Sequence, residues 1–155
     1  MKSTDQKILD RMVEIENESF EDGGLRKWEL VPIIQHGKLI AMFDKGRPVG
    51  LLELMRDWDE PNNFYIYGVS VAKKYRNRGI GSKLLRYAFE RFSDKGFKNA
   101  ILTVDPENRP AVHLYKEKFG FVIDGYRKAL YERNSDRFLM TLDIEEFSKN
   151  VEEVS

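Results

Sequence analysis

The chemistry of this sequence is concentrated where Val69-Ser70-Val71-Ala72 runs into Lys73-Lys74-Tyr75-Arg76-Asn77-Arg78-Gly79-Ile80-Gly81-Ser82. The first four residues close a β-rich run. The residues from Ile80 onward open a helix with Ile80, Leu84, Leu85, Ala88, Phe89 and Phe92 on one face. Gly79 and Gly81 take side chains away at the point where that helix begins. An anion could therefore reach its first N–H groups, which have no partner within the helix and lie at the positive end of its dipole. Arg76 and Arg78 add charge and forked donors. The segment is shaped for a phosphate or pyrophosphate.

Three known phosphate or nucleophile patterns fail on specific residues. A P-loop needs G-x-x-x-x-G-K-S/T, whereas Ser82-Lys83 stands in reversed order with no earlier glycine at the required spacing. The dinucleotide fingerprint G-x-G-x-x-G would need glycine at Leu84. A nucleophile elbow G-x-S-x-G is nearly met by Gly68-Val69-Ser70-Val71, but Ala72 fills the last place and the segment reads as continuous strand.

Arg76-Asn77-Arg78-Gly79-Ile80-Gly81 resembles instead the coenzyme A loop of the GNAT N-acetyltransferase superfamily: Gln or Arg, two residues, Gly, one residue, then Gly or Ala. A second block, Asn108-Arg109-Pro110-Ala111-Val112-His113-Leu114-Tyr115 with Phe119-Gly120-Phe121, is similar to the family's N-x-x-A-x-x-L-Y and G-F elements. The two blocks stand in the family's order, and the resemblance runs from about Leu39 to Leu142. It implies an α+β fold: a central mixed, mostly antiparallel sheet flanked by helices, with a splayed strand before the loop. It also implies acetyl-CoA as co-substrate, no metal, and direct transfer to a primary amine through a tetrahedral intermediate.

Carried over residue by residue, the resemblance places the pantetheine arm on the backbone of the Val69-Ser70-Val71 strand. The pyrophosphate would sit on the N–H groups from Asn77 through Arg78, Gly79, Ile80 and Gly81 to Ser82, with Arg76 beside it. Asn108, Ala111 and Tyr115 are further cofactor contacts, Asn108 also capping its helix. A free N–H near Val69 would steady the oxyanion. Tyr115 resembles the tyrosine that protonates the departing thiolate. A phenol of pKa about 10 beside a thiol of about 8.5 suits that task. Read from its spacing alone, Tyr115 is equally a member of an apolar face with Ala111, Leu114 and Phe119.

The general base is the gap in the resemblance. An alkylamine is protonated at neutral pH, so something must take its proton. Relatives carry a glutamate at one of two strand positions, and those positions are occupied here by Tyr65 and Thr103. Glu53, in Leu51-Leu52-Glu53-Leu54-Met55, is the leading replacement, since strand alternation could aim it at a cleft; the competing reading is a solvent-facing strand residue. Asp105, Glu16 and Glu18 are weaker candidates, the last two lying where the family's substrate-facing helices would be. His113 and Glu117 share a helix face four residues apart, too few ligands for a metal site. His36 reads as a surface residue, and Trp28 and Trp58 as core or rim residues that could line an acceptor pocket.

These residues sit in a chain of 155, with 26 Lys and Arg, 26 Asp and Glu, two His and no Cys. The length fits a single domain over residues 1–155, with 143–155 as an acidic helical tail. Without cysteine there is no disulfide, thiolate zinc site or cysteine nucleophile. The start, MKSTDQKILDRM, lacks the apolar core of a signal peptide, and we expect a cytoplasmic protein with no membrane partner. Zero net charge argues against nucleic acid. The nine basic residues between Lys73 and Lys98 face only Glu90 and Asp94, whereas acidic residues dominate before Leu30 and in Glu53–Glu60. That asymmetry suits an anionic cofactor beside a cationic acceptor, a small amine or a protein lysine or N-terminal amine.

The elements that must position the site follow from periodicity. Helices are predicted over Gln6–Phe20, Lys27–Gln35, from Ile80 to a stop at Gly96, and Arg109–Phe119 with Asn108 as cap and Gly120 as stop. Strands are predicted over Leu39–Phe43, Val49–Met55, Phe64–Ala72, Ala100–Val104, Phe121–Tyr131 and Arg137–Leu142. Relatives open with a strand, for which only Met1–Asp5 is available; an edge left open there could be covered by a second copy, as a homodimer. A non-catalytic acyl-CoA-binding module of the same fold remains the alternative, and an intact Tyr115 argues against it.

Overall fold

A computed structural model describes residues 3–128 and 136–154 of the chain. The order is α1 (Ser3–Phe20), a 3-10 turn (Glu21–Gly23), α2 (Lys27–His36), β1 (Lys38–Asp44), β2 (Arg47–Arg56) and β3 (Asn63–Val71). A 3-10 turn (Lys73–Tyr75), α3 (Ile80–Ser93), β4 (Asn99–Val104) and α4 (Arg109–His113) follow. The chain then widens into a π-helical turn (Leu114–Phe119) and closes with β5 (Val122–Arg127), β6 (Arg137–Asp143) and α5 (Ile144–Val154). The strand order is β1-β2-β3-β4-β6-β5, with β3–β4 parallel and β1–β2, β4–β6 and β5–β6 antiparallel. This is the expected mixed α+β architecture.

Chain compactness defines two units, Met1–Met55 with Tyr67–Ala88, and Arg56–Ile66 with Phe89–Ser155. In the first, α1 presents Leu9, Met12 and Ile15 at helical spacing to a core completed by Leu25, Leu30, Ile33, Leu51 and Ala72. Burial of each such side chain stabilises by roughly 1.5–3 kcal/mol. The β1–β2 hairpin turns at Lys45 and Gly46, both at positive φ (48° and 76°), the local twist that a tight hairpin demands.

The second unit is held by phenylalanines. Phe89 is fully buried and stands 5.4–6.4 Å, ring to ring, from Phe64, Phe119, Phe121 and Phe147, mostly tilted or edge-on. Such geometries place a ring edge on a neighbour's face and add to the apolar burial. The β3–β4 register covers only Asn63–Tyr65 against Asn99–Ile101, and β3 continues beyond it to Val71, as expected of a splayed strand.

Two expectations need adjustment. The helix predicted over Arg109–Phe119 is α-helical only to His113 and then becomes a π turn, closed by Gly120 at φ 82°. The Phe121–Tyr131 strand is observed as Val122–Arg127, and residues 129–131 of that expectation lie outside the described ones. The described residues begin with α1 at Ser3, and no strand precedes the first helix among them, one of the two outcomes the short start leaves open. No described helix is long and apolar enough to cross a membrane.

Candidate active site

In the first unit β3 serves two faces, as strand alternation requires. A Cβ added at Gly81 would stand 3.5 Å from Val69 Cγ1 and 3.8 Å from Val71 Cγ2, so both valines point to the start of α3. Those distances are ordinary contacts, and a methyl group would fit there. The fold itself therefore does not demand glycine at position 81, which leaves the backbone bare for something arriving from outside. Gly79 adopts φ 73°, a Cβ there would meet nothing within 4 Å, and its carbonyl accepts the Lys83 N–H at 3.0 Å to start α3. Asn77 is also left-handed, at φ 60°, a conformation its short polar side chain tolerates.

The loop is anchored from three sides. The Tyr75 hydroxyl donates to Asp44 Oδ2 at 2.7 Å, and the Arg78 guanidinium lies 5.1 Å from the Tyr75 ring centre. Arg76 Nε donates to the Val71 carbonyl at 3.2 Å, and its Nη2 to the Glu18 carbonyl at 2.5 Å. Lys73 N–H donates to Glu18 Oε2 at 2.6 Å. The result is a preset turn with bare backbone at a helix start, and it fits a phosphate-bearing group.

On the opposite face of β3, Gly68 and Ser70 meet two carboxyl groups. Glu16, on α1, is buried; its Oε1 accepts from the Ser70 hydroxyl at 2.6 Å and its Oε2 from the Leu25 N–H at 3.2 Å. Ser70 can thus contact a cofactor only through its backbone. Glu53, on β2, has no exposed surface, and neither carboxyl oxygen has a hydrogen-bond partner among the described residues. A Cβ at Gly68 would come within 2.9 Å of Glu53 Oε2 and 3.9 Å of the Phe20 ring, so only glycine leaves the carboxyl its place. Glu53 is therefore neither the solvent-facing residue nor the open cleft residue the sequence suggested. It is enclosed.

Burial pushes the Glu53 carboxyl up to about 9, and the neighbouring charge of Glu16 adds to the rise, against a weaker pull from its own backbone amide. Burial also raises Glu16, offset in part by its bonds from Ser70 and Leu25. Glu18 behaves differently. Its burial is outweighed by the Lys73 N–H and Arg11, which hold it below the usual carboxylate range and make it an anchor rather than a base.

Sequence patterns carried signals for both buried acids. Glu16 continues the Leu9–Met12 row at i+4, a core position. Glu53 interrupts a strand buried over Pro48–Leu54, where neither face is wet. Gly68 and Phe20 carried none.

In the second unit, Asn108 Oδ1 accepts the Ala111 N–H at 3.3 Å, the expected cap, and Pro110 occupies the first turn of α4. Tyr115 lies in the π turn, partly buried, with its ring 5.6 Å edge-on from Phe121. Burial raises its phenol, so it stays protonated at working pH. Tyr65 and Thr103, the two strand positions where the sequence offers no carboxylate, share a hydroxyl hydrogen bond of 3.0 Å. Asp105 Oδ1 accepts the Glu107 N–H at 2.9 Å, a turn role.

His113, Glu117 and His36 are exposed, and the described residues include no group of three or more His, Cys, Asp or Glu able to hold a metal. Trp28 and Trp58 are 71% and 95% exposed, which removes both from the core. Beside the α1–α2 turn, Asn17, Glu21, Gly24 and Arg26 line an open polar cavity of about 550 Å³.

Comparison with known proteins decides the family. Residues 9–121 match the model of the acetyltransferase (GNAT) family. The chain belongs to the GNAT family. It is 32% identical over 104 residues to the N-terminal acetyltransferase complex ARD1 subunit homolog of Dictyostelium discoideum, covering 66% of this chain and 51% of that protein. It is 27% identical over 139 residues to the mycothiol acetyltransferase of Corynebacterium efficiens, covering 84% of this chain and 46% of that protein. The chain thus spans about half the length of these curated relatives. Among solved structures, Ard1 from Thermoplasma volcanium superposes with a TM-score of 0.77 at 18% identity, over 88% of this chain and 91% of that one, a likeness of fold.

The enclosed Glu53 has a measurable consequence for stability. The unfolded chain ionises this carboxyl near 4.5 and the folded chain near 9. Between those values the folded state holds the extra proton, so Glu53 withdraws stability as pH rises. Glu53→Gln removes that dependence. In urea denaturation its stability relative to wild type should grow with pH by roughly 1.4 kcal/mol per unit across that window. A difference that does not change with pH would show an ionised Glu53.

Proposed function

We propose that this chain transfers the acetyl group of acetyl-CoA to a cationic primary amine by direct attack. The observation that carries this reading is the unpartnered, enclosed carboxyl of Glu53 beside Gly68, one residue before Val69 on the strand that leads into the loop. Acetyl-CoA would bring the activated thioester. The N–H groups from Asn77 to Ser82, at the positive end of α3, would hold its diphosphate, and the backbone of Val69 and Val71 its arm. An N–H near Val69 would steady the oxygen that gains charge. No cysteine exists to carry an acyl group, which favours direct transfer.

The role of Glu53 follows from its protonation. Alone, the buried carboxyl is neutral. A positive charge brought beside it favours the ionised form, and its proton leaves to solvent. The carboxylate then takes one proton from the ammonium group, freeing the lone pair that attacks the carbonyl carbon. As the carbon–sulfur bond breaks, the sulfur needs a proton, and a phenol that burial keeps protonated suits that need; we assign it to Tyr115. The acceptor class is a small cationic amine or a protein lysine or N-terminal amine. Relatives named for N-terminal and L-amino acid acetylation support an amine acceptor.

The test is CoA release from acetyl-CoA across a panel of amines, read with a thiol reagent that meets no background in a cysteine-free chain. With an α-amine, whose own pKa is about 8, kcat/KM in wild type should be greatest between about pH 8 and 9 and fall above that range, because the productive pair is a carboxylate and an ammonium; in Glu53→Gln it should rise to a level plateau above about pH 8, at a rate lower by ~100-fold. A profile unchanged in Glu53→Gln would remove Glu53 as the base. Tyr115→Phe should lower kcat by about 10- to 100-fold while the affinity for acetyl-CoA holds; an unchanged kcat would move the acid elsewhere.

A further inference from the structure

The last turn of α1 makes contacts in three directions within the first unit. Glu16 reaches Ser70 and Leu25, and Phe20 lies over Gly68. Between them, Glu18 reaches the segment that introduces the phosphate loop. Its carboxylate accepts the Lys73 N–H at 2.6 Å and an Arg11 N–H at 3.0 Å, while its carbonyl accepts from Arg76 at 2.5 Å. One residue therefore fixes both ends of the turn Lys73–Arg76, through its side chain at one end and its backbone at the other. Arg11, seven residues earlier on the same helix, holds the Glu18 carboxylate in place, and itself pairs with Glu14 at 2.8 Å.

We propose that Glu18 is a positioning residue for the loop Arg76–Gly81, and that it couples occupation of this loop to the order of the α1 turn carrying Glu16 and Phe20. The physical reason is preorganisation. Asn77 and Gly79 both hold left-handed conformations, and a loop released from Lys73 and Arg76 would have to be ordered anew whenever an anion binds. A loop held by Glu18 is already set. Conversely, an anion on the loop would steady Arg76 and Lys73, and through them the residues of α1 nearest Glu53. Glu18 itself touches no reacting group in this scheme. The inference rests on the acetyl-CoA reading of the loop.

The experiment measures CoA binding by titration calorimetry in wild type, Glu18→Ala and Glu18→Gln. Glutamine keeps an acceptor for the Lys73 N–H and alanine does not. We expect Glu18→Ala to weaken CoA about tenfold and Glu18→Gln to stay within about threefold of wild type. In turnover, Glu18→Ala should raise KM for acetyl-CoA far more than it lowers kcat. Hydrogen exchange adds a readout that simple destabilisation would not move: CoA should slow the amides of residues 16–20 in wild type and leave them unchanged in Glu18→Ala. Arg11→Gln, which loosens Glu18 without touching the loop, should fall between wild type and Glu18→Ala, and it carries the test if Glu18→Ala does not fold. Wild-type affinity in both Glu18→Ala and Arg11→Gln, or equal losses in Glu18→Ala and Glu18→Gln, would overturn the proposal. No binding of CoA to wild type would instead overturn the reading on which it rests.

Discussion

A fully buried carboxyl group with no hydrogen-bond partner among the described residues is the constraint around which the first unit is arranged. Glu53 stands in a strand whose neighbours Leu51, Leu52 and Leu54 are all buried, so neither face of the strand can hydrate it. Glu16 approaches from α1 with both oxygens already engaged. Two carboxylates in one apolar enclosure cannot both ionise cheaply, and the one without partners is the one that keeps its proton. Such a group weakens the fold.

The strand beside it separates two tasks by parity. Gly68 and Ser70 attend to the carboxyl groups, whereas Val69 and Val71 pack toward the glycine-rich start of α3. Alternation at every second residue lets a few residues of β3 turn one side to the buried carboxyl groups and the other to the start of α3. Gly68 belongs to the first side by what it lacks. A side chain there would displace Glu53 Oε2, just as a side chain at Gly50 would strike Ile80 Cγ2 at 2.6 Å on the other side.

Much of this was legible in the sequence. The helical rows of α1 and α3, the hairpin before Pro61, and the cap at Asn108 follow from periodicity and turn chemistry, and they fall where expected within a few residues. The loop was legible because its glycines and arginines carry a mechanism by themselves. The π turn at Leu114–Phe119 was not, since no residue type in Leu114-Tyr115-Lys116-Glu117-Lys118-Phe119 marks the change from an α to a π turn. The burial of Glu53 is not what the sequence reading expects. Alternation was used where the strand is buried on both sides, and alternation then says nothing about exposure. Glu18 is a weaker candidate base from its place on the first helix, and the N–H that engages its carboxylate is 55 residues away in the chain, where no local pattern shows it.

The central claim is that Glu53 is a neutral acid in the resting protein and a base only beside a cation. Carbon-13 NMR of the chain labelled at glutamate carboxyls, with Glu53→Gln for assignment, addresses it without any substrate. The account predicts one carboxyl signal, lost in Glu53→Gln, that stays at its protonated position through pH 7 and moves only near pH 9. A Glu53 signal that has completed its titration by pH 6 would mean an ionised, solvated carboxylate, and the reading of the site would fall with it.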